Sequence, residues 1–256
     1  MLLTLNAFIS QTFKEAIRNK ILYGIAFFAI AIFLFSFVLG ELSLYEQNRV
    51  IRDVGMTFIM LMGIVLGMYT GIAPIHKEFD RRIIYTILSK PIRRYEIIFG
   101  KFFGIAATLF VELAAMFVVF LLLLLARSMP IDASLFSAFW LTYVESLVVA
   151  AAALMFSTFS SAMLSTLMTT GFVLLGLLYP QIGFYAEKNS SPEISAAMKA
   201  AQFILPNFDH FDVSTQVSYA LDIPLSHTFY ASCHGAAYIV VLVCIAAIIL
   251  EKRDFI

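Results

Sequence analysis

Apolar residues fall in six long blocks separated by polar intervals. The blocks cover residues 21–40, 54–75, 102–126, 135–156, 162–182 and 228–250. Each reaches the roughly 20 residues that a helix needs to cross a bilayer. Backbone inside lipid must satisfy its own hydrogen bonds. The pattern therefore predicts an all-α integral membrane protein of six transmembrane helices. No second, soluble unit is marked, and residues 1–256 read as one transmembrane domain.

Residues 1–20 form a separate feature. Leu5, Phe8, Ile9, Phe13, Ala16 and Ile17 recur at helical spacing, with Gln11, Lys14, Glu15 and Arg18 on another face. This is the pattern of an amphipathic helix lying along the membrane interface. The first block is too long for a signal-peptide core. Leu39-Gly40-Glu41 also lacks a small-x-small cleavage site, so the block is expected to stay in the mature protein.

The polar intervals set the predicted orientation. With the N-terminus inside, the inner segments hold Lys14, Arg18, Lys20, Lys77, Arg81, Arg82, Lys90, Arg93, Arg94, Lys101, Lys252 and Arg253. The outer segments hold only Arg49, Arg52, Arg127, Lys188 and Lys199. That bias predicts both termini in the cytoplasm.

Composition excludes other classes. Apolar residues make up 61% of the chain and charged residues 13%, with mean hydropathy +0.92. Soluble domains run at about 45–50% and about 25%. The 17 basic residues are balanced by 17 acidic ones, so no basic excess is present to hold nucleic acid. Cys233 and Cys244 are separated by about 16 Å of helical rise, too far for a disulfide.

The interval from His76 to Lys101 is the most unusual stretch. Ile83, Ile84, Ile87 and Leu88 form an apolar stripe, and Ser89-Lys90-Pro91 breaks the helix that carries it. Arg93 onward restarts a helix. Glu78 and Asp80 stand among the arginines. Anionic lipid alone would select only basic residues, so the mixed signs favour docking of a cytoplasmic partner over simple headgroup anchoring.

Together, the six blocks, the N-terminal amphipathic helix and this loop resemble the permease subunits of type-2 ABC exporters. The family's loop has the form Glu-x-x-x-Gly-Thr-x-x-x-Leu-Leu-x-x-Pro-x-x-Arg, ending in Gly-Lys. Glu78, Ile87, Leu88, Pro91, Arg94 and Gly100-Lys101 occupy matching places, while Arg82 and Ile83 stand where Gly-Thr is usual. The run 156–161 resembles the link between the fourth and fifth spans, and Leu205-Pro206-Asn207 the segment before the sixth.

The resemblance implies that two permeases pair, as two copies or with a related chain. It also implies that two ABC ATPase subunits dock on the 76–101 loop through Glu78, Asp80, Arg81, Arg82, Ile87, Leu88, Pro91 and Arg94, with room for accessory proteins. ATP and Mg would be held by those partners, and this chain is expected to bind no cofactor and to be no enzyme. Gly100-Lys101 is not a phosphate loop, since Tyr95 stands at the first glycine position and Phe102 follows the lysine.

Two acids lie inside blocks, Glu112 and Glu145, each about 15 Å deep. A charge there costs on the order of 3 kcal/mol or more. Both are therefore either protonated and bonded to neighbours such as Tyr or Ser/Thr, or line a wet cavity as members of a translocation pathway. Gly63, Gly67 and Gly71 recur every fourth residue and predict a flat face for close helix packing. Ala150–Ala153 reads the same way.

The outer interval 183–227 is long for a bare connector. Pro192 is expected to start a helix reaching Phe203. By the resemblance, short helices here dip into the membrane and cap the exit. Asp209, His210 and Asp212 lie close in sequence, but one histidine between two acids is a poor metal set and no metal site is assigned. His227 and His234 are expected at the headgroup level, and His76 at the inner boundary.

Two alternatives to a permease remain. An intramembrane enzyme would show a Ser/His pair, paired aspartates in spans or His-Glu-x-x-His, and the blocks hold none of these convincingly. A scaffold or signal-transmitting subunit, driven by an ATPase without moving solute, would share every feature above.

Overall fold

The computed structural model describes residues 27, 28, 30–32, 34, 47–80, 94–188 and 192–252. The N-terminal amphipathic segment and residues 81–93 lie outside them.

Eight helices and one 3₁₀ turn follow in order among the described residues. They are α1 (Gln47–Asp80), α2 (Arg94–Ala126), α3 (Ala133–Ser157), α4 (Ala162–Leu177), α5 (Tyr179–Lys188) and α6 (Pro192–Ile204). The 3₁₀ turn Phe208–His210, α7 (Ser214–Ser218) and α8 (Leu225–Lys252) complete the described residues. Helices α1, α2, α3 and α8 are each long and apolar enough to cross a membrane. The described residues are all-helical, as the hydropathy pattern predicts, with four or five candidate spans among them.

The fifth is bent. The block 162–182, read as one straight span, is broken at Leu178, and the two arms meet at 56°. Pro180 supplies the reason. It has no N–H for the carbonyl one turn back, and its ring crowds that turn. Of the predicted first span, Phe27, Phe28, Ile30, Ala31, Ile32 and Leu34 are described and helical. Phe28 and Ile32, one turn apart, are buried, whereas Phe27, Ile30 and Leu34 face outward.

Two helices overrun their apolar blocks. α1 begins at Gln47, ahead of its block, and Ile51 and Arg52 are buried together there. α2 begins at Arg94, and Ile97, Ile98 and Lys101 are buried along its first turns. Hydropathy undervalues such amphipathic ends because their polar face hides the buried one.

The core is built on α3. Every residue from Val148 to Leu154 is fully buried. α1 packs beside it in parallel, with Gly63 and Gly67 against Ser146 and Gly71 against Ala150 and Ala153. α8 is also parallel to it. Trp140 Nε1 donates to Ser232 Oγ at 3.0 Å, and Val144 meets Gly235 one turn on. α2 runs antiparallel to α3, pairing Phe117 with Phe136 and Phe110 with Tyr143.

α4 is polar inside and apolar outside. Ser165 and Thr169 are fully buried, while Met163 is 87% and Leu167 68% exposed. The buried hydroxyls bond close to home. Thr169 Oγ1 donates to the Ser165 carbonyl at 2.7 Å, and Ser165 Oγ pairs with Ser160 Oγ at 2.7 Å. Lipid tails are as apolar as leucine, so an outward apolar face carries no penalty in a bilayer.

Candidate functional site

Glu112 on α2 and Glu145 on α3 are each 1% exposed. Glu112 Oε2 and Glu145 Oε1 have no hydrogen-bond partner among the described residues. The pairing of Phe117 with Phe136 and of Phe110 with Tyr143 sets the register of the two helices. By that register the two acids stand about one helical turn apart in height. An unsatisfied neutral acceptor still costs about 1–3 kcal/mol, so the bundle carries two polar groups that its own packing does not need. Asp212, from the segment before α8, acts electrostatically on Glu145.

The three predicted packing glycines lie on the α1–α3 contact. A Cβ on Gly67 would stand 2.6 Å from the Ser146 carbonyl oxygen. One on Gly71 would stand 2.7 Å from the Ala150 carbonyl oxygen and 2.6 Å from Ala153 Cβ. At Gly63 it would strike Ser146 Oγ. At Gly67 and Gly71 only hydrogen lets the two backbones approach so closely.

Residues 205–223 fill one end of the bundle. Phe208, Phe211, Val213 and Val217 are buried there. Phe208 sits in the notch left by Gly176 of α4, and Phe211 lies against Gly235 of α8. Tyr238 on α8 donates to the Leu205 carbonyl at 2.9 Å. The first turns of α1 hold the other side, where Asp53 accepts from Ser218 Oγ at 2.8 Å and Arg49 lies 3.8 Å above the Tyr219 ring. Beside them the buried Arg52 pairs with Asp132 at 2.7 Å and donates to the Pro130 carbonyl. The predicted helix 192–203 is present as α6 and packs against α5.

Tertiary structure brings the histidines together. With Tyr230 and Tyr238, His227 and His234 form one stripe along α8, and His210 is laid against it. The spacing of His227 and His234, two helical turns apart, marks one helix face in the sequence; the arrival of His210 there has no local signal. Asp209 and Asp212 are exposed, and Asp212 accepts from the Ser214 backbone N–H and hydroxyl at the start of α7. Among the described residues no three His, Cys, Asp or Glu side chains are placed to hold a metal ion.

At the opposite end, Glu78 and Asp80 belong to the last turn of α1 and Arg94 opens α2. Arg81, Arg82, Ile87, Leu88 and Pro91 lie outside the described residues. Gly100 and Lys101 are helical within α2, and Lys101 is buried.

A family model described as ABC-2 family transporter protein matches residues 7–255. No curated protein is matched by the chain.

Proposed function

Because the chain belongs to the ABC-2 transporter family, we propose that it is the permease subunit of an ATP-binding-cassette exporter. The match across residues 7–255 carries this reading. In it, two such subunits, or one with a related permease, form the pathway, and two cytoplasmic ATPases supply the energy. Both termini and the 76–101 loop face the cytoplasm of an inner-membrane protein, in keeping with the bias of basic residues. ATP and Mg belong to the ATPases.

Glu78, Asp80, Arg81, Arg82 and Arg94 give the loop its mixed charge, and Ile87, Leu88 and Pro91 its apolar ridge and its break. Motion of a docked ATPase enters α1 and α2 directly, since the loop joins their ends. α1 passes it to α3 through Gly63, Gly67 and Gly71, a smooth contact that allows one helix to slide on the other. α3 carries Glu145. The buried, unsatisfied carboxyls of Glu112 and Glu145 support a pathway role, because an acceptor with no internal partner can meet a passing polar group.

Purification of the tagged chain from native membranes in mild detergent tests the reading. A near-stoichiometric P-loop ATPase in the preparation, followed by ATP-dependent movement of solute in vesicles, supports an exporter. A well-folded chain with no ATPase refutes it. Nucleotide hydrolysis without solute movement favours the scaffold.

A further inference from the structure

We propose that Glu145 is the recognition point for a positive charge on the transported molecule, which makes the substrate class an organic ammonium or guanidinium ion with an apolar body. The proposal rests on the pathway role given to Glu145 above and names what that pathway selects.

The interior of the bundle offers hydrogen-bond acceptors and few donors. Thr70 on α1, Thr108 on α2, Ser146 and Ser157 on α3 and Thr169 on α4 are all buried. Each donates its hydrogen to a carbonyl three or four residues earlier in its own helix. Tyr143 on α3 donates its hydroxyl hydrogen to the Ala106 carbonyl at 3.1 Å. A hydroxyl used in this way keeps only lone pairs for a visitor. Glu112 Oε2 and Glu145 Oε1, without partners among the described residues, add to the acceptors. The unpartnered hydroxyls of Ser134 and Thr228 lie in the first turns of α3 and α8, about two to three turns from the level of Glu145.

The charge balance around Glu145 points the same way. Val144 and Phe211 meet one point on α8, at Gly235. Glu145 and Asp212 follow them in sequence, so α3 and the segment before α7 bring two acids to one junction. Among the described residues, the charged group that acts on Glu145 is Asp212, and Glu145 is in no ion pair. The buried Arg52 is committed to Asp132 and the Pro130 carbonyl. His234, beside Gly235, turns to the rings of His210 and Tyr238.

These surroundings choose among ligands. Two acids at one junction repel an anion. A neutral donor could bond to Glu145, but a charged donor bonds roughly twice as strongly. A bare metal ion is poorly served: calcium takes about six to eight oxygens, and among the described residues no three His, Cys, Asp or Glu side chains are placed to hold one. An organic cation needs only one carboxylate and a surface for its apolar body. Ring contacts supply that surface, running from Phe156 on α3 through Phe172 on α4 to Phe208 and on to Phe211 beside Val144. The faces of such rings also attract cations.

The test is binding of ethidium, an aromatic cation with two amino groups, to the full chain purified from native membranes and held in lipid nanodiscs. Fluorescence is read against empty nanodiscs. Ethidium is then displaced with octylammonium, octyl glucoside or octyl sulfate, each below its micelle concentration. The expected result is saturable binding that octylammonium displaces and the neutral and anionic compounds do not. Glu145→Gln should weaken it by about tenfold or more, the scale of one charge-assisted hydrogen bond. Glu145→Asp, which keeps the charge, should lose less. Asp212→Asn should weaken binding by about twofold, since an exposed charge is screened. Absence of saturable binding overturns the proposal, as does wild-type affinity in Glu145→Gln. Displacement by octyl glucoside as effective as by octylammonium also overturns it, and that series uses the wild-type chain alone. The measurement needs no ATP. Its failure leaves the exporter reading standing, and a preparation without an ATPase refutes the exporter while leaving the binding result intact.

Discussion

Replacement of the α1 glycines by alanine tests the packing that links α1 to α3. At Gly67 the new methyl would lie 2.6 Å from the Ser146 carbonyl oxygen and 3.5 Å from the Ala150 nitrogen. At Gly71 it would lie 2.7 Å from the Ala150 carbonyl oxygen, 2.6 Å from Ala153 Cβ and 3.2 Å from the Leu154 nitrogen. All but the Ala153 contact are with backbone, which cannot rotate away. The helices must separate by several tenths of an ångström, and overpacking of this kind costs about 1–3 kcal/mol. For a chain of this size that is a fall in Tm of roughly 3–10 °C. Gly63 differs. Its methyl would meet Ser146 Oγ, a side-chain atom that donates to the Thr142 carbonyl at 2.8 Å.

The substitutions should therefore rank Gly71→Ala, then Gly67→Ala, then Gly63→Ala in loss of stability. Ser146→Ala should rescue Gly63→Ala and leave Gly67→Ala unrescued, since the latter meets backbone. Gly171, with nothing within 4 Å of a built Cβ, is the control, and its alanine variant should match or exceed wild type. Thermal unfolding in detergent, followed by size exclusion, reads every variant. Gly67→Ala and Gly71→Ala with the stability of Gly171→Ala would refute the close α1–α3 contact.

Glu112→Gln and Glu145→Gln should keep the fold, because each replaces an unsatisfied buried carboxyl by a neutral isostere, and should lower transport in vesicles; unchanged transport removes both from the pathway. Asp132→Ala should destabilise by about 2 kcal/mol, below the roughly 3–5 kcal/mol of a fully buried pair because Asp132 is partly exposed. Arg52→Met with Asp132→Ala should regain much of that loss, and a double variant no better than Asp132→Ala would show that the pair is not the source. Charge reversal at Arg81 and Arg82, or Glu78→Lys, should abolish ATPase association while leaving the permease as stable as wild type; intact association would move the docking site off the loop.

Much was readable in the sequence because a bilayer imposes one strong rule on it. Backbone in lipid must be helical, so apolar length alone located the helices now described as α1, α2, α3 and α8. The glycine period marked a packing face on α1, and Pro192 marked the start of α6. Hydropathy could not tell a core face from a lipid face, because both are apolar. That ambiguity concealed the central place of α3, whose buried stretch Val148–Leu154 reads like any other span. It concealed the reversed polarity of α4, and the polar ends of α1 and α2 were shortened by the same measure.

Which residues meet across the bundle was decided by tertiary structure alone. The carboxyls of Glu112 and Glu145 were visible as costly groups, but their unsatisfied oxygens depend on every helix around them. His210, His227 and His234 are scattered along the chain and share a site only because residues 205–211 fold back along α8. Burial and helix period are local properties that composition writes directly into sequence. Register between helices is a property of pairs, set by where a glycine lets two backbones touch and where a proline turns the chain.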